Sequence, residues 1–506
     1  MKKVQEYSGI QNIRSYVAFL IFGLVSLAGC TYEFPEVDQQ MNTGSLQGPV
    51  IFIGDDYAAG FMNGALYHEG QQNGLSAILG SVMAKADIDT VVQALINGSA
   101  GFNPYASDSL QMAGRYVLTY QAGQNEPIRQ TLPGETVEPF TGDKTGINDL
   151  TIPFLKSFET DQLNITGNPY ALRILEDPAT TTLLQQAVAH QPTTYVLWLG
   201  MTDVLNYAVT GGGGDSLPSI NPLLVAEDDM TPIPLYRTAM ENLISTLMQN
   251  PAASGIILTL PQVSDLPYFY YYPYDFMKLS GAQLGLARTT YSAFNDAVEQ
   301  NNMTPGNPKR PYIGFNDNGF TPYPQPVVVQ DNTLPDAYYP DSTPLEKIRN
   351  LKEGELLLLD FPVDRMEQGY GWLIPAEEQY FLSLSEVQSI NARVDAFNQI
   401  LEELAGMYPG RILVVDIGEM IHDLSETGKL DGWGTPNSSE QYSFEGVPLQ
   451  ARMELNSIFS LDGLHFNQRG CAWLAEHVVT EMNAFFSARL PHVDVNNYKG
   501  NVPEYK

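Results

Sequence analysis

Cysteine is nearly absent from this chain: Cys30 and Cys471 are the two in 506 residues. No closely spaced set exists to hold a metal through thiolates. Basic residues are also scarce. Lys and Arg number 26 against 58 Asp and Glu, a formal charge of -32. A surface of that sign repels phosphate, so nucleic acid is excluded as a partner. No repeat of fixed period runs along the sequence, which excludes a solenoid. Long apolar runs are missing as well, and the one at residues 16–27 is too short to cross a bilayer comfortably. The length leaves room for two to three domains and a large core.

What is present begins at that short run. Lys2, Lys3 and Arg14 precede it and Leu27-Ala28-Gly29-Cys30 follows at once. This resembles a bacterial lipoprotein signal, which implies cleavage after residue 29, acylation of Cys30 and attachment to a membrane without a spanning helix. The alternative is an ordinary secretory signal followed by a chance cysteine. Residues 30–48 are polar, acidic and without periodicity, an acidic tether. Glu33, Glu36 and Asp38 resemble the acidic export signals of Bacteroidetes surface lipoproteins, which implies an outer-membrane location facing the exterior. With Cys30 acylated, Cys471 has no partner and no disulfide is expected. Cys471 lies on an apolar helical face and reads as core.

The chemistry of the chain concentrates in residues 459–470, FSLDGLHFNQRG. Asp462 precedes His465 by three residues, a spacing at which the carboxylate fixes the imidazole tautomer and leaves its far nitrogen as a base. An Asp and a His on a polar surface loop is the plain alternative. Turn residues 467–470 and an apolar helical pattern from Cys471 place the pair on a loop entering a last helix. A continuous apolar run at 49–53 reads as a strand buried on both faces of a parallel sheet, 194–199 reads as a second buried strand, and 255–260 and 411–417 as further strands. Apolar positions from Val387 to Leu404 follow a helical period, with Ser383 or Ser385 available as a cap.

Gly54-Asp55-Asp56-Tyr57-Ala58-Ala59-Gly60 follows the first strand, and Gly200-Met201-Thr202-Asp203 follows the second. With the closing Asp-x-x-His, these blocks resemble those of the SGNH or GDSL hydrolase family, and a looser match at residues 145–150 places the family's oxyanion glycine at Gly146. Residues 203–212 and 356–362 resemble phrases of large Bacteroidetes lipoproteins of the same fold. The resemblance implies a three-layer α/β/α sandwich with a central parallel sheet over residues 49–490, an insertion at about 262–385 and a tail at 491–506. Alternating strands and helices point to α/β independently.

Two positions depart from the family pattern. Asp56 stands at the nucleophilic serine and Thr202 at the asparagine that serves the oxyanion. An aspartate has no hydroxyl proton to give up, and beside His465 it favours the charged imidazole. The leading expectation is therefore a pseudoenzyme of this fold, needing no cofactor, that works as a partner-binding subunit of an outer-membrane complex with a β-barrel protein and other lipoproteins. The alternative is an active esterase, lipase or related hydrolase with a modified site, using Asp55, Asp56, Asp203, Asp462 and His465 in one pocket, or Ser107 or Ser109 as a substitute nucleophile. A metal held by that acidic group stays open beside it, and the aromatic residues 267–276 read equally as a partner or glycan surface or as a loop packed onto its own domain by its tyrosines.

Overall fold

Five apolar segments pair side by side. They are β1 (Val50–Gly54), β2 (Asp149–Thr151), β3 (Thr194–Trp198), β4 (Ser254–Leu258) and β5 (Ile412–Val415). They form one parallel sheet in the order β2-β1-β3-β4-β5. The register sets Ile51 against Tyr195 and Leu197 against Ile257, which in turn faces Val414. β1, β3 and β4 are buried at every position, as the sequence runs require of strands covered on both faces.

The computed structural model describes residues 41–504 apart from 108–109, 122, 124–125, 317–321, 439–441, 445 and 456. The leader, Cys30, the start of the tether and Ser109 lie outside the described residues. Among the described residues no helix is long and apolar enough to cross a membrane.

Six helices matter for the site: α1 (Asp56–Ala59), α2 (Leu75–Lys85), α3 (Thr202–Val209), α4 (Ile233–Leu247), α5 (Leu384–Gly406) and α6 (Gln468–Phe485). α2 packs on α6, and α5 packs on α3 and α4. α5 buries Val387, Ile390, Val394, Phe397, Ile400, Leu401 and Leu404, the stripe its sequence period predicts. Of the two serines offered as its cap, Ser383 takes the role: Glu386 Oε2 accepts the Ser383 N–H at 2.7 Å, and Ser383 Oγ accepts from Glu386 N.

Two boundaries move. Residues 41–48 do not hang free: Leu46 is buried, Ser45 N donates to Phe486 O at 3.3 Å, and Asn42 bridges to Arg489. Residues 491–504 are likewise no tail, since Val493, Val495 and Asn501 are buried and Glu504 N donates to Leu118 O. Within the insertion, two clusters separate from the main core gather around Met277, Val327, Leu357 and Trp372, and around Phe294, Val298 and Ile348. The first half of the aromatic segment at 267–276 turns its side chains inward, and residues 271–276 are half-buried. Tyr268, Phe269 and Tyr270 are buried, and Tyr268 Oη donates to Asp360 Oδ2 at 3.0 Å.

In this strand order the chain leaves β1 toward one edge and continues from β3 toward the other, so a crevice belongs beyond the carboxyl ends of β1 and β3. Asp55 and Asp56 follow β1, and Gly200 to Asp203 follow β3.

Candidate functional site

Asp56 is the first residue of α1, and Asp55 is its N-cap. The Asp55 carboxylate ties the two strand ends together: Oδ2 accepts the N–H groups of Gly200 at 3.1 Å and Met201 at 3.0 Å, and Oδ1 accepts Tyr57 N at 3.2 Å. Gly200 has φ +135°, a backbone angle that a side chain opposes, and this turn aims both N–H groups at Asp55. Burial, then the charge of Asp56 beside it, raises the Asp55 carboxyl well above its ordinary range.

His465 sits between two carboxylates. Its Nδ1 lies 3.0 Å from Asp462 Oδ2 and its Nε2 lies 2.7 Å from Asp56 Oδ2. Asp462 is held in turn by its own loop and by a neighbouring turn. Its Oδ1 accepts from Ser460 Oγ at 2.8 Å, Leu464 N at 2.8 Å and His465 N at 2.9 Å, and its Oδ2 accepts from Gly64 N at 2.7 Å. Thr202 Oγ1 donates to Asp56 Oδ1 at 3.0 Å. Asp56, Thr202, Asp462 and His465 thus form one connected group, gathered from the ends of β1 and β3 and the loop before α6.

The group is sealed. Exposure is 1 % for Asp56, 2 % for Thr202, 3 % for Asp462 and 1 % for His465. The rings of Tyr57 and Phe61 each stand 4.9 Å from the imidazole centroid, and Tyr57 Oη donates to Leu464 O at 2.8 Å. Clefts of about 680 and 630 Å³ open elsewhere, and neither is lined by any of the four.

Burial works against a charged imidazole, but the charge and hydrogen bond of Asp462, followed by those of Asp56, outweigh it and lift His465 to about 10. The same pairing overcomes the burial of Asp462 and holds its carboxyl well below the usual carboxylate range. With its pKa raised to about 10 the imidazole is protonated at neutral pH, and both ring nitrogens donate. No lone pair is left to act as a base. Thr202 gives its hydroxyl proton to Asp56, so that hydroxyl is not offered to an oxyanion.

The other sequence candidates lie apart. Gly146 is exposed three residues before β2, at the amino end of the sheet, and the structure does not bring it to the cluster. The crowded pocket of five groups does not form as drawn, because Asp203 turns to Ser157 and accepts its N–H at 2.9 Å and its Oγ–H at 2.8 Å. Ser107 is committed to its own loop: Oγ donates to Asn103 O and accepts from Ala113 N. The grouping of metal-ligand type among the described residues is Asp265, His422 and Glu426, away from the cluster. Lys429 Nζ already lies 3.2 Å from Asp265 and 2.6 Å from Glu426.

Sequence reasoning missed Tyr57, Phe61, Ser460 and the Asn63-Gly64 turn. Signals for them existed. Both aromatics fall inside or next to the block that carries Asp56, and Asn-Gly is a turn dipeptide whose N–H groups are free to meet a carboxylate. Comparison with known protein families, with curated proteins and with solved structures finds no match for the chain.

Proposed function

We propose that this chain is an SGNH hydrolase-like, three-layer α/β/α protein whose catalytic position has become a buried ionic clamp. It is anchored at the outer membrane through acylated Cys30. It acts as a partner-binding subunit of a complex with a β-barrel protein and other lipoproteins. One observation carries the loss of hydrolysis: both nitrogens of His465 are engaged by carboxylates, at 3.0 and 2.7 Å. A serine hydrolase needs one of them free to take the proton of its nucleophile. Loss of that nucleophile alone lowers turnover on the order of a millionfold.

The purified protein is expected to hydrolyse p-nitrophenyl acetate and butyrate at the rate of the buffer. Activity that vanishes in His465→Ala overturns the proposal. The double change Asp56→Ser, Thr202→Asn restores a hydroxyl nucleophile and a carboxamide donor where the family has them. A gain of esterase activity in that variant supports descent from such a site. Mass spectrometry of the amino-terminal peptide tests the anchor. An acylated Cys30 is expected, and an unmodified residue other than Cys30 at the mature start counts against it.

A further inference from the structure

Residues 215–229 leave the molecule as a loop with a fixed base and an apolar tip. At the base, Met230 N donates to Asp215 O at 3.1 Å, and Asp229 accepts from Asp215 N at 2.7 Å and Ala226 N at 2.8 Å. Two buried cations lock it to the body. Lys156 Nζ donates to Ala226 O and Asp229 O, and Arg393 Nη2 donates to Ser216 O at 2.8 Å. At the tip, Asn221 Oδ1 accepts from Leu223 N and caps a short turn over Pro222–Leu224. On that turn and beside it, Leu217 is 80 % exposed, Ile220 68 %, Leu223 84 % and Leu224 66 %. Single exposed aliphatics are ordinary, but four within eight residues on a pinned loop make a patch.

Charge decides what covers it. Between Arg173 and Arg237 the chain has no Lys or Arg, and Asp215, Glu227 and Asp228 are exposed on the two arms of the loop that carry the tip. Lys156 and Arg393 are committed to the carbonyls of the base. Segments that lie in a membrane interface combine apolar side chains with Lys, Arg, Trp or Tyr, and residues 215–229 have none of these. A second copy of the chain would set the same acids against each other. We propose that this loop docks into an apolar groove, rimmed by Lys and Arg, on a different protein. The proposal rests on the subunit function above and assigns it a contact surface distinct from the His465 cluster.

The test places the photoreactive residue p-benzoylphenylalanine at Ile220 in cells that make the protein natively, and maps adducts by mass spectrometry. Expected is an adduct with one other protein, at a segment where apolar residues adjoin Lys or Arg, that disappears in Leu223→Ser, Leu224→Ser. For the purified pair, that double change is expected to weaken Kd about a hundredfold. Glu227→Lys with Asp228→Lys is expected to weaken it about tenfold, mainly by slowing association at low salt. All four side chains face solvent, so an unchanged unfolding temperature confirms that the variants fold. Adducts with lipid alone, with a second copy, or with nothing overturn the proposal, as does a protein adduct that survives Leu223→Ser, Leu224→Ser. A complex that co-purifies equally with wild type and loop variants removes the loop and leaves the subunit function standing. A wild-type chain that co-purifies with nothing removes both.

Discussion

His465 has two anionic partners in a place that water does not reach, and this sets what its removal costs. Deleting one member of a buried ionic network strands the others, at about 3–5 kcal/mol. His465→Ala is therefore expected to destabilise the fold by about 3–5 kcal/mol in urea unfolding. A histidine kept ready for chemistry behaves differently, because sites strained for activity tend to gain stability when emptied. The dependence on pH follows from the direction of each shift. His465 titrates at about 10 in the fold against 6.5 when free. Its contribution is complete below about pH 6.5 and disappears as pH rises through about 10. Asp462 is lowered from 3.8, so its contribution is present above that value and is lost as pH falls toward its folded pKa. The difference in unfolding temperature between wild type and His465→Ala is expected to shrink as pH passes through about 10. A difference that stays constant to pH 11 would sink the clamp.

At the level of elements, the join between β1 and β3 is made by a carboxylate rather than by apolar packing alone. Asp55→Ala leaves the N–H groups of Gly200 and Met201 buried without an acceptor, at about 1–3 kcal/mol each. A loss of at least about 2 kcal/mol is expected, and Asp55→Asn, which keeps an acceptor oxygen, should recover most of it in the same unfolding assay. Four of the five strands were legible because each is built around a short continuous apolar run, the pattern that burial on two faces favours. β2 was not. It is three residues long, and its Asp149 is accommodated by Ser76 Oγ at 2.6 Å and Gln93 Nε2 at 2.8 Å, partners 73 and 56 residues away. That omission also explains Gly146: without the position of β2, a glycine before the strand could not be told from one after it. Asp56, Thr202, Asp462 and His465 were legible because each sits in a short block at a strand or helix boundary. The aromatic segment at 267–276 stayed undecided for a different reason. Tyrosine suits a buried packing position and an exposed platform equally, and only the approach of Asp360 and the main core turns Tyr268 and its neighbour Phe269 inward.

For the whole chain, the formal charge of -32 sets a repulsion that acts over tens of ångströms and that the fold must withstand. Surface pairs such as Arg237 with Glu403 at 2.7 Å and Arg115 with Glu504 at 2.6 Å offset it only locally, since pairs of that kind contribute little. Raising ionic strength from about 10 mM to about 150 mM shortens the screening length from about 30 Å to about 8 Å. Mutual repulsion of 58 acids falls more than the attraction of a few contact pairs does. The unfolding temperature is thus expected to rise by a few degrees over that range, by calorimetry at pH 7. A fall would mean that the surface pairs outweigh the net charge. The buried clamp supplies an internal control. Asp56, His465 and Asp462 are shielded from mobile ions, so the stability difference between wild type and His465→Ala should not change with salt while both proteins shift together. A difference that collapses with salt would place the imidazole within reach of solvent, and would reopen the case for chemistry at that position.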